Sequence, residues 1–490
     1  MKSLIYRTVR VSARFAERQA TAGAGIALCG EAGARAELWL RREPTRTAPH
    51  SGMLVPAKDK CLSLVPAPLR AQVHPPVRPH GGFARVARRE PIMKTLFLLP
   101  VVVLCLALTA CTRTQPFSGL QKTVLRQQGD AGVHTYRIPG LTTSKAGTLI
   151  AVYDLRHKNS GDLPGDVDVA AQRSTDHGVT WSPMIRVLDF DKAVPGSAGN
   201  GVGDPCVVAD LKTGTLWVAG LWSFGNRAWN SSGPGLKPEE TGQFVLSRSD
   251  DDGLTWSEPI NITEQVKRPE WRLCFQGPGR GIQLRDGTLV IPAQFKSGAD
   301  NAAPHSFFIY SEDHGQTWQA SPPAVPEGRG PWTTEAQVVE LADGGILISM
   351  RNHDGRKQRA WSVFRRHPAT GKLVGGSWSP VTFAVDDPVC AAGLASYPQG
   401  RAGEDWVLFS NPASKNKRER MTVHLSRDGG RTWPVSRLVD ERPAAYSCLT
   451  VLADGSVGLL YEAGNQHPYE ELVFARFSLD WLMDSSAPAK

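Results

Sequence analysis

The chain has 490 residues, of which 41% are hydrophobic and 21% charged, and its formal net charge is +9. A chain of this length and apolar content can bury a large core, which excludes an intrinsically disordered protein. Residues 1–92 hold 16 of the 56 Lys and Arg residues but only 6 of the 47 Asp and Glu residues. The remaining 40 basic and 41 acidic residues give a net charge of about −1, so we expect no nucleic-acid partner.

The first 110 residues are predicted to lie outside the folded domain. Residues 1–92 are rich in Arg, Ala and Pro without helical or strand periodicity, which predicts an upstream mis-assigned or disordered leader. Residues 93–110 start Met-Lys-Thr, continue as an apolar run and end Leu-Thr-Ala, the layout of a secretory signal. The ending, with Cys111, resembles the bacterial lipoprotein box. It implies lipidation of Cys111 and a membrane anchor, and Thr112 favours the outer membrane, on its periplasmic or cell-surface face.

Residues 111–120 are expected to form a linker to a domain over 121–482. Its four cysteines are widely spaced without a Cys-x-x-Cys pair, so they give no zinc or redox signature. Four buried thiols and two disulfides both fit the sequence. These cysteines are Cys206, Cys274, Cys390 and Cys448.

Two repeated patterns predict the fold of this domain. Ser-x-Asp-x-Gly-x-Thr-Trp occurs four times, starting at Ser174, Ser249, Ser311 and Ser426. Short β-rich apolar runs recur six times, as in 148–153 and 457–461, and no segment of similar length shows a helical stripe. Six such units predict an all-β fold, a six-bladed β-propeller.

The four-fold motif is typical of a hairpin turn. Asp and Ser side chains accept hydrogen bonds from nearby backbone N–H groups, Gly supplies a positive φ, and Trp packs between sheets. Its Asp residues are therefore predicted to be structural. A calcium loop at 250–253 is disfavoured because it lacks the distal bidentate Glu of an EF-hand.

The motif resembles the Asp-box of sialidases. The segment 136–139, Tyr-Arg-Ile-Pro, is similar to the family's Phe/Tyr-Arg-Ile-Pro motif. The resemblance covers about residues 120–480 and implies a six-bladed propeller that hydrolyses terminal sialic acids of glycoproteins, glycolipids and oligosaccharides. It implies neither a metal nor an organic cofactor, and we expect a monomer.

Sialic acid carries a carboxylate on its anomeric carbon, and a guanidinium binds such a group through its bidentate, permanently charged fork. The resemblance implies three Arg residues from different blades. Arg137 is assigned by its Tyr-Arg-Ile-Pro setting, and Arg351 by its place at the end of an apolar strand. The third is Arg418, with Arg420 as the alternative.

A carboxylate nucleophile would be repelled by the substrate's own charge, which a neutral Tyr avoids when a base activates it. The resemblance implies Tyr446 as nucleophile and Glu335 as its base. Glu335 is predicted to share a hairpin with Arg351. Asp162 is implied as the acid/base residue because it follows Arg137 by 25 positions, although composition alone does not separate it from Asp154, Asp166 and Asp168. Arg156 is expected to add a contact to substrate.

Two further segments resemble regions near the glycerol and N-acetyl pockets of sialidases. They contain Asp204, Trp222 and Phe224, which are predicted to line the pocket, although packing within the blade fits Trp222 and Phe224 equally well. The alternatives to hydrolysis are a trans-sialidase, an intramolecular sialidase and a non-catalytic propeller that binds sialylated glycans. The first two share every residue named above, whereas binding alone requires only the Arg residues.

Overall fold

The computed structural model describes residues 117–190, 200–298, 303–397 and 405–484. The predicted leader, the signal sequence and the first part of the linker, including Cys111, lie outside the described residues. No described helix is long and apolar enough to cross a membrane.

The strands form six blades, and in blades 1 to 5 the strands run outward in chain order from the innermost strand. The strands of blade 1 are β2 (Thr135–Thr143), β3 (Leu149–Arg156), β4 (Val167–Ser174) and β5 (Ile185–Leu188). Those of blade 2 are β6 (Gly201–Ala209), β7 (Leu216–Ser223), β8 (Gln243–Ser249) and β9 (Ile260–Asn261), with β11 (Gly279–Arg280) added in parallel to β6. Those of blade 3 are β10 (Leu273–Gln276), β12 (Ile282–Gln283), β13 (Leu289–Lys296), β14 (Pro304–Ser311) and β15 (Gln319–Ala320).

The remaining blades have the same antiparallel order. The strands of blade 4 are β16 (Thr333–Glu340), β17 (Ile346–Asn352), β18 (Gln358–Arg365), β19 (Ser377–Trp378) and β20 (Thr382–Asp386). Those of blade 5 are β21 (Gly393–Ser396), β22 (Val407–Pro412), β23 (Glu419–Ser426) and the first half of β24 (Val435–Val451). Those of blade 6 are the second half of β24, β25 (Val457–Ala463), β26 (Glu471–Phe477) and β1 (Leu120–Gln127). The helical segments in the described ranges are a 3-10 turn (Asp130–Gly132), α1 (Thr263–Val266) and α2 (Leu479–Met483).

Blade 6 closes the ring. Strand β1 pairs antiparallel with β26, from Leu120 opposite Phe477 to Gln127 opposite Glu471, so the first and last strands of the domain share one sheet. Radial closure of this kind leaves only short sheet edges. The predicted all-β, six-bladed β-propeller is confirmed. We call the face where the innermost strands begin the upper face and the opposite one the lower face.

The core is divided among the interfaces between neighbouring blades. Six large apolar clusters each combine residues of two adjacent blades, such as Ile150 of blade 1 with Val218 of blade 2. Burial of this apolar surface stabilises the ring, because each blade covers the face of the next.

The four repeated motifs form turns between the third and fourth strands of blades 1, 2, 3 and 5, at the lower face. In the first copy, Ser174 Oγ accepts from Gly178 N at 2.8 Å, and Asp176 accepts from Thr180 N and Oγ1. Gly178 has φ 86°, and a Cβ there would lie 2.0 Å from Phe474 of blade 6. The motif therefore has the structural role that the sequence predicts. It closes a turn, and its Gly lets that turn pack closely against the neighbouring blade.

The four cysteines within the propeller are buried and free. Of the two states left open by the sequence, the structure therefore has thiols. Each lies in an apolar interior, where it packs as a small hydrophobic side chain.

Candidate active site

Charged side chains gather where the innermost strands begin and the second strands end, which places them around one end of the central channel. Arg137 lies near the start of β2 and Arg156 at the end of β3. Glu335 lies near the start of β16 and Arg351 at the end of β17. The upper face therefore collects residues that are far apart in the chain.

Tyr446, Glu335 and Arg351 form one hydrogen-bonded group. The Tyr446 hydroxyl donates to Glu335 Oε1 at 2.5 Å, and Arg351 Nη1 donates to Glu335 Oε2 at 2.6 Å and to the Tyr446 oxygen at 3.0 Å. Strands β16 and β17 pair with each other, so Glu335 and Arg351 come from one hairpin, as the sequence predicts.

The electrostatics of this group keep the carboxyl ionised and the phenol neutral. Burial opposes ionisation of Glu335, but Arg351 and the hydrogen bond from Tyr446 together hold its pKa below the usual value. Burial, together with the nearby Glu335 charge, raises the pKa of Tyr446 well above its usual value. An ionised carboxylate that already accepts the phenolic hydrogen is placed to take that proton.

Glu462 is a buried anchor that the sequence analysis missed. Its side chain is 0% exposed, and it accepts from Arg137 Nε at 3.0 Å. It also accepts from the backbone N–H of Ile138 at 2.9 Å and of Tyr446 at 3.1 Å. One sequence signal was available: Glu462 follows an apolar strand run as Arg351 does.

Arg418 rather than Arg420 faces Tyr446. The guanidinium carbon of Arg418 lies 5.5 Å from the centre of the Tyr446 ring, and that of Arg137 lies 5.4 Å from it. Arg418 Nη1 also donates to the hydroxyl of Tyr469, a residue that the sequence analysis missed, at 2.9 Å. Arg420 is exposed and lies in an irregular part of β23 with φ 63°. The structure therefore brings the predicted Arg137, Arg351 and Arg418 around one phenol.

Asp162 stands on the loop between β3 and β4 with its side chain 77% exposed. Its Oδ1 accepts from Arg156 Nη1 at 2.7 Å and from Arg137 Nη1 at 3.4 Å. Burial raises the pKa of Asp162, but Arg156 and Arg137 more than offset this and hold it below the usual value. Arg156 also donates to the buried Asp154, whose pKa burial raises to about 6.

Asp204 joins the site through its backbone. Its N–H donates to Asp154 Oδ1 at 2.9 Å, and its φ of 58° is in the left-handed region. Burial and the nearby Asp154 carboxylate raise the pKa of Asp204 well above its usual value. This shift favours the protonated carboxyl, which is the form that can donate a hydrogen bond.

A cavity of about 260 Å³ adjoins these groups. Asp162, Asp204, Glu335, Arg351 and Tyr446 line its polar side. Its apolar lining consists of Leu163, Leu221, Ala228, Trp229 and Phe275.

Trp222 and Phe224, unlike Asp204, are not among the residues that line this cavity, and their contacts are those of side chains that pack within a blade. Trp222 stacks on Phe190 with ring centres 4.4 Å apart, and Phe224 meets the edge of Trp222 at 5.9 Å. Successive side chains of a strand point to opposite sides, so Leu221 of β7 faces the cavity and its neighbour does not.

Comparisons with known proteins agree with this architecture. The family described as BNR repeat-like domain matches residues 146–459. A sialidase of Bacteroides fragilis is 41% identical over 355 residues, 70% of this chain and 62% of that protein. A sialidase of Micromonospora viridifaciens is 35% identical over 374 residues, 74% of this chain and 54% of that protein.

Solved structures are similar as well. Hadza microbial sialidase Hz136 is 42% identical with a TM-score of 0.67, covering 74% of this chain and 69% of that one. The intramolecular trans-sialidase from Ruminococcus gnavus shares the fold, with a TM-score of 0.62 at 21% identity over 73% of this chain and 97% of that one. The chain spans 62% and 54% of the length of the two curated relatives. It belongs to the family of BNR repeat-like domains.

Proposed function

We propose that the protein is an exo-α-sialidase, a glycoside hydrolase that removes terminal sialic acids from glycoconjugates with retention of configuration. The observation that carries this proposal is the contact of the Tyr446 hydroxyl with Glu335 and Arg351 between two further guanidinium groups, Arg137 and Arg418. Similarity to the Bacteroides fragilis sialidase supports it. Binding alone would not require a base on the phenol.

In the first step the sugar is held by its charge. Arg137, Arg351 and Arg418 bind the carboxylate on the anomeric carbon through charge-assisted hydrogen bonds. Their positions are fixed before binding, since Arg137 pairs with Glu462 and Arg418 bonds to Tyr469. Preorganised cations of this kind need little rearrangement when the substrate arrives.

Bond cleavage then uses Tyr446 and Asp162. Tyr446 attacks the anomeric carbon while its proton passes to Glu335, and Asp162 protonates the departing glycosidic oxygen. In the free protein Arg156 and Arg137 lower the pKa of Asp162. Because the substrate carboxylate offsets the charge of Arg137, binding raises this pKa and favours the protonated acid.

Water completes the reaction. Asp162, now ionised, takes a proton from water as the water displaces Tyr446 from the anomeric carbon, and Glu335 returns a proton to the phenol. Two displacements at one carbon restore its original configuration. The apolar wall of Leu221, Ala228 and Trp229 is proposed to take the N-acyl group of the sugar.

The test is hydrolysis of a fluorogenic α-sialoside by purified residues 112–490, followed by NMR of the first product. We expect free sialic acid that appears first as the α-anomer. A folded protein that releases no sugar would contradict the proposed activity, and an initial β-anomer would contradict the double displacement. Formation of an anhydro sugar or transfer to lactose would instead identify the intramolecular or the trans-sialidase.

We also propose that the protein is a monomeric lipoprotein of the outer membrane, anchored through Cys111. The Leu-Thr-Ala-Cys sequence that follows the apolar run supports lipidation. Labelling of cells with an alkyne fatty acid is expected to mark the wild-type protein and not a Cys111→Ala variant. Equal labelling of both proteins would contradict the anchor. Light scattering of purified residues 112–490 measures the oligomeric state.

A further inference from the structure

A second cavity lies at the lower end of the central channel. Its volume is about 540 Å³, and it is lined where the innermost strands β2, β6, β21 and β24 end. Residues of the active site lie near the beginning of these strands, so the two cavities occupy opposite faces of the propeller. The lower cavity is therefore separate from the proposed reaction.

Arg280 is held at the centre of this end by its backbone. It pairs in parallel with Val207 of blade 2. Its N–H donates to the Gln337 side chain at 3.2 Å, and that side chain donates to Pro278 O at 2.7 Å. The segment also passes close to blade 1, since a Cβ on Gly140 would lie 2.5 Å from the carbonyl oxygen of Gly279. Arg280 is therefore fixed among several blades.

The guanidinium of Arg280 has no acidic partner among the described residues. Nη1 donates to Thr450 Oγ1 at 3.2 Å, and the buried Nε has no acceptor. The titratable groups that act on it are the thiols of Cys206 and Cys448, and burial raises the pKa of both thiols. They are neutral at pH 7 and give Arg280 no counter-charge. A partly buried charge without a counter-charge favours an anion.

Hydroxyl groups complete the lining of the cavity beside Arg280. Thr143 Oγ1 lies 3.2 Å from Thr450 Oγ1 and donates to Val451 O at 2.8 Å. The exposed Lys145, whose Nζ donates to Lys212 O at 2.7 Å, adds a second positive charge to the lining. A guanidinium beside a hydroxyl group can donate several hydrogen bonds to phosphate or carboxylate oxygens.

We propose that Arg280, with Thr450, binds a small oxyanion of the phosphate or carboxylate type in the lower cavity. The bound anion joins Thr450 of blade 6 to Arg280 of β11, which pairs with β6 of blade 2. An anion that binds the folded ring but not the unfolded chain raises the unfolding temperature. The site therefore stabilises the propeller without entering the reaction at the upper face.

The experiment measures the thermal unfolding midpoint of purified residues 112–490 at increasing concentrations of inorganic phosphate, with the ionic strength held constant by chloride. We expect a saturable increase of a few degrees for the wild type and a clearly smaller one for Arg280→Gln. The control Arg418→Gln removes a cation of the upper face and should keep the part of the increase that Arg280→Gln loses. Acetate in place of phosphate distinguishes a planar carboxylate from a tetrahedral oxyanion.

Equal phosphate responses of the wild type and Arg280→Gln would overturn the proposal, and so would a response that Arg418→Gln abolishes. If Arg280→Gln does not fold, Thr450→Val is expected to raise the half-saturating phosphate concentration several-fold. An unchanged value for that variant would also overturn the proposal. None of these outcomes depends on sialidase activity.

Discussion

Arg137 and Glu462 form a buried ion pair between blades 1 and 6, with 3.0 Å between Nε and Oε1. The same carboxylate accepts from the backbone N–H of Tyr446 at 3.1 Å. One side chain therefore positions both a proposed carboxylate ligand and the proposed nucleophile. Strand β25 supplies this residue from behind the site, where it does not reach the cavity.

We expect Glu462→Gln to raise KM and lower kcat together, because Arg137 loses its counter-charge and Tyr446 one backbone acceptor. Breaking a buried pair on one side costs roughly 3–5 kcal/mol, so the unfolding temperature should also decrease. Asp440→Asn is the matched control, since Asp440 is a buried partner of Arg442 and Tyr461 that does not line the upper cavity. The control should lose stability with KM unchanged. Equal kinetic effects of both variants would contradict the positioning role.

We expect Tyr446→Phe to lower kcat on an α-sialoside by about 10³-fold or more, because the nucleophile is removed. Its affinity for sialic acid, measured by calorimetry, should change less than tenfold, since the three Arg residues remain. Tyr310→Phe is the control: its hydroxyl bonds to Gln319 in blade 3, and its turnover should equal that of the wild type. Full turnover by Tyr446→Phe would remove the nucleophile assignment.

The sequence was sufficient for the fold because the four turn motifs and six apolar runs are local patterns. It was sufficient to nominate Arg137 and Glu335 because each stands in a recognisable segment. It did not identify Glu462, whose role arises only when blade 6 meets blade 1, or Tyr469, whose contact with Arg418 arises only when blade 6 meets blade 5. The side of β7 that faces the cavity was also beyond the sequence, since two adjacent apolar residues, Leu221 and Trp222, are both compatible with a pocket.

We expect the effect of Asp162→Asn on kcat to depend on the leaving group. Acid catalysis contributes about 10²–10⁴-fold, so kcat should fall by that factor for a sugar leaving group, which needs a proton. For a sialosyl fluoride or nitrophenyl sialoside, the first step needs little protonation and the loss should be much smaller. Asp166→Asn, on the same loop and paired with Lys158, is the control. Equal losses for both substrates would contradict the acid role.

The pH dependence should differ between kcat/KM and kcat. The acid form of Asp162 is required, so activity falls as pH rises through its pKa, which Arg156 and Arg137 hold below the usual value in the free protein. The substrate carboxylate offsets part of that positive charge and raises the pKa in the complex. The alkaline limb of kcat should therefore lie at higher pH than that of kcat/KM. Coincident limbs would contradict this coupling.

Acid lability is expected from the turn motifs. Hydrogen bonds from the side chain and the backbone of Thr255 lower the pKa of Asp251 to about 2, because together they outweigh the opposing effect of burial. This folded-state pKa lies below the unfolded value of about 3.9. The stabilisation is therefore complete above about pH 4 and is lost as pH falls towards about 2.

Asp251→Asn should lower the unfolding temperature by a few degrees at pH 7 and weaken its decrease between pH 4 and 2. Kinetic constants should stay unchanged, because the turn lies at the lower face. Asp250→Asn is the control, because the side chain of the neighbouring Asp250 accepts a hydrogen bond from Thr215, a residue outside the turn. Thermal scans over this pH range test both variants, and identical curves for them would contradict the role of Asp251.

The apolar wall of the upper cavity should select for the N-acyl group of the sugar. Burying one methyl group contributes about 0.8 kcal/mol. Removal of the Trp229 ring would expose the methyl group of the N-acetyl substituent to water, together with the apolar side chains beside it. We expect Trp229→Ala to raise KM for an N-acetylated sialoside about tenfold or less. KM for the deaminated analogue, which lacks the acyl group, should change little. Trp222→Ala is the matched control, since this ring stacks on Phe190 outside the cavity. Should Trp222→Ala discriminate between the two substrates and Trp229→Ala not, the pocket would lie where the sequence predicted.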